Sequence, residues 1–218
     1  MKLTNRMQTI VSLIDNGSNV IDIGCDHALV DIYLSLYNNS KCIASDINKN
    51  ALTIAQKNIK RYGVDIKTVL SNGFENINIP EKSVAIICGM GTDNIIKILL
   101  NTDLTNLDEI VIQSNTNLFN LRKFLYKIGY YISNEIVVYE KNIYYVIIKF
   151  KKGFKIISEN ELKYGPILLK NKDKITYEYY SYILKIYENI FNNSNISEIK
   201  ASTKKDIEFL KEIIKKDI

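Results

Sequence analysis

The chain has 218 residues, 46% of them hydrophobic, and a formal net charge of +5. This length and composition suit a medium-sized domain with an appendage, and they exclude a chain that is disordered throughout. The modest positive charge is compatible with a polyanionic partner, although solvent-exposed lysines would give the same figure.

Neither a disulfide framework nor a metal site is expected. The three cysteines, Cys25, Cys42 and Cys88, form no CxxC pair and lie in or beside apolar runs, which is typical of buried, reduced thiols. Polar residues interrupt the first stretch, and no apolar run approaches the roughly 18 residues of a membrane span. The sequence thus predicts no signal peptide, no membrane contact and a cytoplasmic location.

Helical and strand patterns alternate along the chain, starting with a helix over residues 3–15. The next strands are predicted at "NVIDIG", "KCIASDI", "IKTVLSNG", "VAIICGMG" and "EIVIQSN". Helices are predicted over residues 28–37, 48–61 and 117–128 and at "DNIIKILL". This alternation is typical of an α/β fold with a doubly wound, mostly parallel sheet.

A hairpin follows, because "NEIVVYE" and "IYYVIIKF" are strand patterns joined by a tight turn at Lys141-Asn142. This hairpin is expected to put one antiparallel strand at the edge of the sheet.

The composition changes after about residue 153. Residues 173–191 and 198–216 have apolar side chains at helical spacing on either side of the polar break "NNSNIS". We therefore predict two domains, residues 1–153 and a C-terminal antiparallel helical hairpin within residues 154–218.

Ligands of doubly wound sheets bind beyond the carboxyl ends of the strands. The loops expected there are Gly24–Ala28, Asp46–Asn48, Ser71–Gly73, Gly89–Asp93 and Gln113–Asn117.

The first two loops form a pair. Gly24 permits a tight turn after the first strand, and Asp46 closes the next strand 22 residues later. A carboxylate there can accept hydrogen bonds from two ribose hydroxyls, in a nicotinamide cofactor as well as in S-adenosylmethionine. An ordinary turn with a solvated aspartate is the alternative, but the two residues occurring together favour a ligand site.

Asp26 favours S-adenosylmethionine over a dinucleotide. A dinucleotide loop brings backbone amides close to a pyrophosphate, whereas the positions alternating from Gly24 are Asp26 and Ala28. A carboxylate repels phosphates but suits a sulfonium cation. A nicotinamide-dependent oxidoreductase is therefore the least favoured enzyme class.

The remaining loops admit two interpretations each. Asn72 and Phe74 suit the edge and face of an adenine, or form a turn with a core phenylalanine. The paired glycines of Gly89–Gly91 exceed what a turn needs, and Gln113 suits a base, the donor or a helix cap. His27, the only histidine, is either structural or part of the site.

Together these residues resemble the bacterial tRNA (adenine-22-N1)-methyltransferases. The similar segments include "LTNRMQTIVSLI", "DIGCDHALVDIYL", "ASDINKNALTIAQKNI", "SNGFENI", "ICGMGTDNIIKIL", "VIQSN" and "LRKFLYKIGYYISNE", and "YGPILLKNKD" resembles the entry to that family's C-terminal helical domain. The resemblance implies a seven-stranded Rossmann-like sheet with a reversed last strand. It also implies S-adenosylmethionine as methyl donor and N1 of an adenine in the tRNA D-arm as acceptor.

The resemblance also implies site residues. The donor site is expected to contain Asp22, Gly24, Cys25, Asp26, Asp46, Ile47, Asn72, Gly73, Gly89, Met90 and Gly91. Asp26 and His27 are the expected catalytic residues, and Gln113, Asn115 and Arg122 are expected to contact substrate. We predict that Asp26 accepts a hydrogen bond from the adenine N6 amino group. Ten lysines between residues 170 and 216 are expected to grip tRNA phosphates, unless they form only a solvated face.

Two positions depart from the family pattern. Thr92 follows "GMG" where the family has a fourth glycine, and Ser114 stands in "QSN" where the family has proline. Loss of the proline is expected to make that loop less rigid. A methyltransferase of another substrate and a non-catalytic binding protein therefore remain alternatives. The protein is expected to be a monomer.

Overall fold

A computed structural model of the protein describes residues 1–171 and 173–215. Two of the lysines expected to grip tRNA, Lys172 and Lys216, lie outside these ranges.

Seven strands form one sheet in the order β3-β2-β1-β4-β5-β7-β6. Their bounds are β1 (Asn19–Ile23), β2 (Lys41–Asp46), β3 (Lys67–Leu70), β4 (Ser83–Met90), β5 (Leu107–Ser114), β6 (Tyr130–Glu140) and β7 (Ile143–Lys152). The pairs among β1 to β5 are parallel, whereas β7 is antiparallel to both β5 and β6. The predicted mostly parallel sheet with a reversed last strand is confirmed.

The hairpin supplies the edge strand of the sheet, and that strand pairs antiparallel with its neighbour, as predicted. β7 lies between β5 and β6, so β6 forms the edge. The reason is burial, because Ile147, Ile148 and Phe150 of β7 are completely buried and an edge position would expose them. The turn between the two strands places Lys141 and Asn142 at positive φ, as a two-residue hairpin turn requires.

Eight α-helices and one short 3-10 helix, Leu168–Lys170, occur in the described ranges. The α-helices are α1 (Asn5–Ser12), α2 (Leu29–Tyr37), α3 (Lys49–Tyr62), α4 (Thr92–Leu100), α5 (Leu118–Lys127), α6 (Glu159–Tyr164), α7 (Lys174–Asn193) and α8 (Ser197–Lys215). The start and end predicted for α3 are confirmed. The Asn48 side chain accepts a hydrogen bond from the Asn50 amide, and Gly63 ends the helix at φ +66.

The chain divides into two compact units, Met1–Gly165 and Pro166–Ile218. The first unit extends beyond residue 153 because α6 belongs to it. Arg122 Nη1 donates hydrogen bonds to the carbonyl oxygens of Leu162 and Lys163, at 3.3 and 3.1 Å. These contacts anchor α6 to α5, which carries Arg122.

In the second unit α7 and α8 pack against each other. Lys211 Nζ lies 2.8 Å from Glu188 Oε1, and the Lys200 ammonium lies 5.6 Å from the centre of the Phe191 ring. Residues late in α7 meet residues early in α8, and earlier ones meet later ones, so the two helices run antiparallel. Within the described ranges no helix is long and apolar enough to cross a membrane.

Candidate functional site

A cavity of about 650 Å³ opens at the carboxyl ends of the parallel strands. It is lined by Asp22–Asp26 of β1 and its loop, by Asp46 and Ile47 after β2, by Ser71–Glu75 after β3 and by Cys88–Met90 of β4. Side chains of α1 and α4 complete the wall. The cavity thus lies where a doubly wound sheet binds its ligand.

The β1 loop turns tightly at Gly24, which adopts φ +81. The amides of Gly24 and Cys25 both donate to the Ser45 carbonyl oxygen of β2, at 2.8 and 2.9 Å. A Cβ atom on Gly24 would lie 2.7 Å from the Met90 methyl carbon. The loop therefore needs glycine for its backbone conformation, and a larger residue would also displace the end of the Met90 side chain.

The Asp46 carboxylate is held in a fixed orientation at the end of β2. One oxygen accepts from the Asp26 amide at 3.1 Å, and the other accepts from the Asn48 amide at 2.8 Å. Because each carboxylate oxygen has two lone pairs, both can accept another hydrogen bond. Asp46 is thus prepared to bind a pair of vicinal hydroxyls.

The loop after β3 approaches α4 closely. A Cβ atom on Gly73 would lie 2.9 Å from the Ile98 side chain of α4. Phe74 is 6% exposed, Ile47 is 70% exposed, and both line the cavity with Ile98. These apolar groups beside the amide of Asn72 suit a planar base with polar edges.

The loops after β4 and β5 are tied together. Asn115 donates from its backbone amide to the Met90 carbonyl oxygen at 2.8 Å and from its side chain to the Gly89 carbonyl oxygen at 2.9 Å. Gln113 is completely buried, and its Nε2 donates to Asn115 Oδ1 at 2.9 Å. The two loops therefore form one surface beside the cavity.

Asp22 and Asp31 are an acidic pair beneath the β1 loop. Asp22 is 6% exposed and Asp31 is completely buried. Burial raises the pKa of Asp31 to about 6, and burial, together with the charge of Asp31, raises that of Asp22 well above its usual range. No N–H or O–H of another described side chain donates to the Asp31 carboxylate. The two carboxyls can bond to each other only when one is protonated.

Asp26 and His27 are both exposed residues of the β1 loop. Asp26 adopts φ +49, and its side chain is 74% exposed. His27 Nε2 lies 3.5 Å from Asp26 Oδ1, and its carbonyl oxygen accepts from Asn58 Nδ2 at 3.0 Å. Asp26 lines the cavity and His27 does not, so the contact between His27 and Asp26 connects His27 to the cavity.

The structure brings most of the expected donor-site residues together. Those that line the cavity are Asp22, Gly24, Cys25, Asp26, Asp46, Ile47, Asn72, Gly73, Gly89 and Met90. Gly91, Gln113 and Asn115 lie next to it in the tied β4 and β5 loops.

Arg122 does not line the cavity, and this position corrects the expectation that Arg122 contacts substrate. Its side chain is 1% exposed, and its Nε donates to Glu135 Oε1 at 2.8 Å. Because Nη1 also donates hydrogen bonds to carbonyl oxygens of α6, the guanidinium is held in the interior of the first unit.

Sequence reasoning missed two contributors to the cavity wall. One is α1, through Arg6, Met7 and Ile10. The other is a face of α4 formed by Asn94, Lys97, Ile98 and Asn101. The helical spacing of the α4 residues, three of them polar, was the available signal. Among the described residues, no group of three or more His, Cys, Asp or Glu could hold a metal ion.

The chain is similar to known methyltransferases. A family model described as a methyltransferase domain matches residues 3–148. The tRNA (adenine(22)-N(1))-methyltransferase of Bacillus subtilis is 28% identical over 98% of both chains, and the crystal structure of the B. subtilis enzyme, named TrmK, has a TM-score of 0.84. The structure of M. capricolum TrmK with S-adenosyl-homocysteine is 31% identical, covers 100% of both chains and has a TM-score of 0.87. The chain therefore belongs to the methyltransferase family, in its tRNA (adenine-22-N1)-methyltransferase branch.

Proposed function

We propose that the chain transfers a methyl group from S-adenosylmethionine to N1 of adenosine 22 in the D-arm of tRNA. The proposal rests chiefly on the arrangement of Asp26 in the β1 loop. Its Asp26 amide is bonded to the Asp46 carboxylate while the Asp26 side chain stays exposed at the cavity. The backbone of Asp26 thus fixes the Asp46 carboxylate, which binds the ribose hydroxyls. The side chain of Asp26 presents a second carboxylate to the acceptor.

The residues around the cavity fit the donor. Asp46 binds the ribose hydroxyls, and Asn72, Phe74 and Ile98 enclose the adenine. Gly24 permits the close approach of the chain, and Asp26 faces a cationic ligand without meeting any phosphate. The bound donor supplies an electrophilic methyl group on a positively charged sulfur, so positioning of the acceptor supplies much of the catalysis.

Asp26 acts on the acceptor base. N1 lies on the base-pairing edge of adenine, so the base must leave its stack to react. Asp26 accepts a hydrogen bond from the N6 amino group, which raises electron density at N1 and stabilises the positive charge that N1 gains. As the N1–carbon bond forms, the carbon–sulfur bond breaks and its electron pair stays on sulfur. His27 orients Asp26, and Gln113 and Asn115 line the approach of the base.

The second unit supplies the wider grip on tRNA. Exposed lysines of α7 and α8 contact phosphates outside the acceptor base and fix its register without reading the sequence. A monomeric state and a location in the cytoplasm complete the proposal.

The test is incubation with labelled donor and unmodified tRNA, followed by mapping of the methylated position. We expect label at N1 of adenosine 22 and none in a transcript with guanosine at that position. Label at another base, or on a protein or small molecule, would indicate a methyltransferase of different specificity. Donor binding without transfer to any RNA would indicate a non-catalytic relative.

A further inference from the structure

The β6–β7 hairpin projects beyond the edge of the sheet that carries the cavity, which we call the ligand edge. Gln113 near the end of β5 lies opposite Ile147 of β7, and the hairpin continues past this pair to its turn. Tyr144 precedes Ile147 by three residues, which places it roughly 10 Å farther out at about 3.4 Å per residue. The hairpin tip, residues 139–145, therefore stands beside the edge at which the acceptor base approaches.

Contacts with Arg6 connect this tip to the cavity. Arg6 lines the cavity, and its backbone amide donates to Glu140 Oε2 at 3.1 Å. Its guanidinium carbon lies 4.8 Å from the centre of the Tyr145 ring, and its Nη1 donates to Gln113 Oε1 at 3.3 Å. The tip is thus fixed against the cavity wall, next to the residue that the proposed function assigns to the approach of the base.

Two tyrosines form a ring pair on the other face of the tip. Tyr139 and Tyr144 are cross-strand partners whose ring centres lie 4.6 Å apart at an interplanar angle of 43°. Because side chains alternate along a strand, this face is opposite the one that carries Tyr145. The Tyr139 hydroxyl donates to Asn142 Oδ1 at 3.3 Å. Tyr139 is 45% exposed and Ile143 is 52% exposed, so the tip presents an ordered aromatic surface to solvent.

The chemistry of this surface suits a nucleotide. Every base has a π-face, and RNA-binding proteins stack unpaired bases on aromatic side chains. Lys141 is exposed at the turn, and together with Arg6 it outweighs the one carboxylate of the tip, that of Glu140. The excess of positive charge favours a polyanionic partner.

The methylation of a base within RNA creates a need for such a surface. Removal of the acceptor base from its stack deprives the neighbouring base of a stacking partner. An aromatic pair just beyond the ligand edge replaces that partner and so lowers the cost of extrusion. A second copy of the chain is the other occupant that an edge strand such as β6 invites, but an exposed lysine at the end of the strand opposes such pairing.

We propose that Tyr139 and Tyr144 form a stacking platform for a tRNA base next to the acceptor base, and that Lys141 contacts the phosphate of that nucleotide. The inference rests on the proposed function, because it takes tRNA as the substrate. It adds a contact that involves neither the methyl donor nor the second unit.

The test replaces both rings in one variant, Tyr139→Leu with Tyr144→Leu, which keeps apolar side chains on the strands. We expect the Kd for unmodified tRNA to rise by about 5- to 150-fold, the range for the loss of one base–aromatic stack. The Kd of the donor, measured by calorimetry, should not change. Tyr139→Phe with Tyr144→Phe keeps both ring faces and should bind tRNA as the wild type does.

A fluorescent base reports the stacking itself. The tRNA has 2-aminopurine in place of one or the other neighbour of adenosine 22, and stacking quenches its emission. At saturating protein, one of the two labelled tRNAs should be brighter with the leucine variant than with the wild type. Equal emission from both proteins at both positions would contradict a stacking role.

Tyr33→Leu with Tyr37→Leu is the matched control. These residues of α2 form a similar ring pair, with centres 4.7 Å apart, and Tyr37 is 59% exposed. The pair lies at the end of α2 that leads into the amino end of β2, away from the ligand edge. Its replacement should leave the Kd for tRNA unchanged.

The other outcomes are distinct. Unchanged tRNA affinity in the leucine variant would overturn the proposal, and equal losses of tRNA and donor affinity would make the tip a structural element. A wild-type dimer that the leucine variant dissociates, seen by sedimentation, would make the tip a contact between copies of the chain and overturn the proposal too. If the double variant does not fold, Tyr139→Leu alone decides by the same Kd.

Failure of the platform is distinguishable from failure of the proposed function. A wild-type protein that methylates no tRNA refutes the proposed function. A wild-type protein that methylates adenosine 22, with a leucine variant of equal tRNA affinity, refutes the platform alone.

Discussion

Thr92 Oγ1 lies 2.8 Å from Ser114 Oγ, so the two residues that depart from the family pattern are hydrogen-bonded to each other. Thr92 is completely buried, and its hydroxyl also reaches the Thr116 carbonyl oxygen. Ser114 Oγ accepts from the Thr116 amide at 3.3 Å. The two hydroxyls thus tie the start of α4 to the loop after β5, which compensates for the rigidity that a proline would give.

This pair predicts non-additive stability effects. Thr92→Val and Ser114→Ala each remove a buried hydroxyl together with the hydrogen bond that joins the two side chains, so each should lower the free energy of unfolding by about 0.5–1.5 kcal/mol. The double variant should lose less than the sum, by about 0.5–2 kcal/mol, because the lost bond is shared. Urea unfolding of the four proteins measures this. Additive losses would mean that the two hydroxyls act independently.

Asp26 is predicted to act on transfer more than on donor binding. Asp26→Asn keeps a side chain that tolerates the positive φ and keeps the backbone amide bonded to Asp46, but it removes the charge. We expect kcat on tRNA to fall by about 10- to 100-fold, the effect of one charge-assisted hydrogen bond, with little change in the Kd of the donor.

The control is Asp65→Asn, an exposed position beyond the end of α3. His27→Ala should lower kcat less than Asp26→Asn does, because in the proposed mechanism the imidazole orients Asp26. Near wild-type kcat in Asp26→Asn, with tRNA binding intact, would remove Asp26 from the reaction.

The Asp22–Asp31 pair predicts an unusual pH dependence of stability. A carboxyl whose pKa is raised by folding favours the folded state when protonated, and it destabilises that state as pH rises from about 4, its unfolded pKa, through its folded value. For Asp31 the folded pKa is about 6. Asp31→Asn should therefore relieve about 1–2 kcal/mol of destabilisation at pH 8 compared with pH 5.

Urea unfolding at the two pH values measures the difference. Asp103 is a suitable control, because hydrogen bonds from Thr105 lower its pKa and its side chain is exposed. Asp103→Asn should give no gain in stability as pH rises. An unchanged pH profile in Asp31→Asn would show that the buried pair does not titrate as a unit.

The strand-end loops were predictable from sequence because apolar strands followed by Gly24, Asp46 or Gly89 carry a local signal. The contribution of Arg6 to the cavity wall was not predictable, since an amphipathic pattern in α1 shows which side chains face the core but not which polar residue lines a cavity. The burial of Arg122 was not predictable for a similar reason. Arginine is usually exposed, and its burial here depends on Glu135 and on the carbonyls of α6, which are distant in sequence. The order of β6 and β7 likewise depends on long-range pairing.

Exposed lysines of the second unit are predicted to bind tRNA phosphates. Lys204 and Lys205 are exposed on α8, and the replacement of both by glutamine removes two charges without disturbing the contact between Glu188 and Lys211. If they bind phosphates, the affinity for tRNA should fall and the slope of log K against log salt should decrease by about 2, whereas donor affinity should not change. Filter binding at several salt concentrations measures both quantities.

The matched control is Lys41→Gln with Lys82→Gln, since these exposed lysines lie at the amino ends of β2 and β4, opposite the ligand edge of the sheet. An equal effect in both double variants would show that only net charge matters, and that α8 does not contact tRNA through these residues.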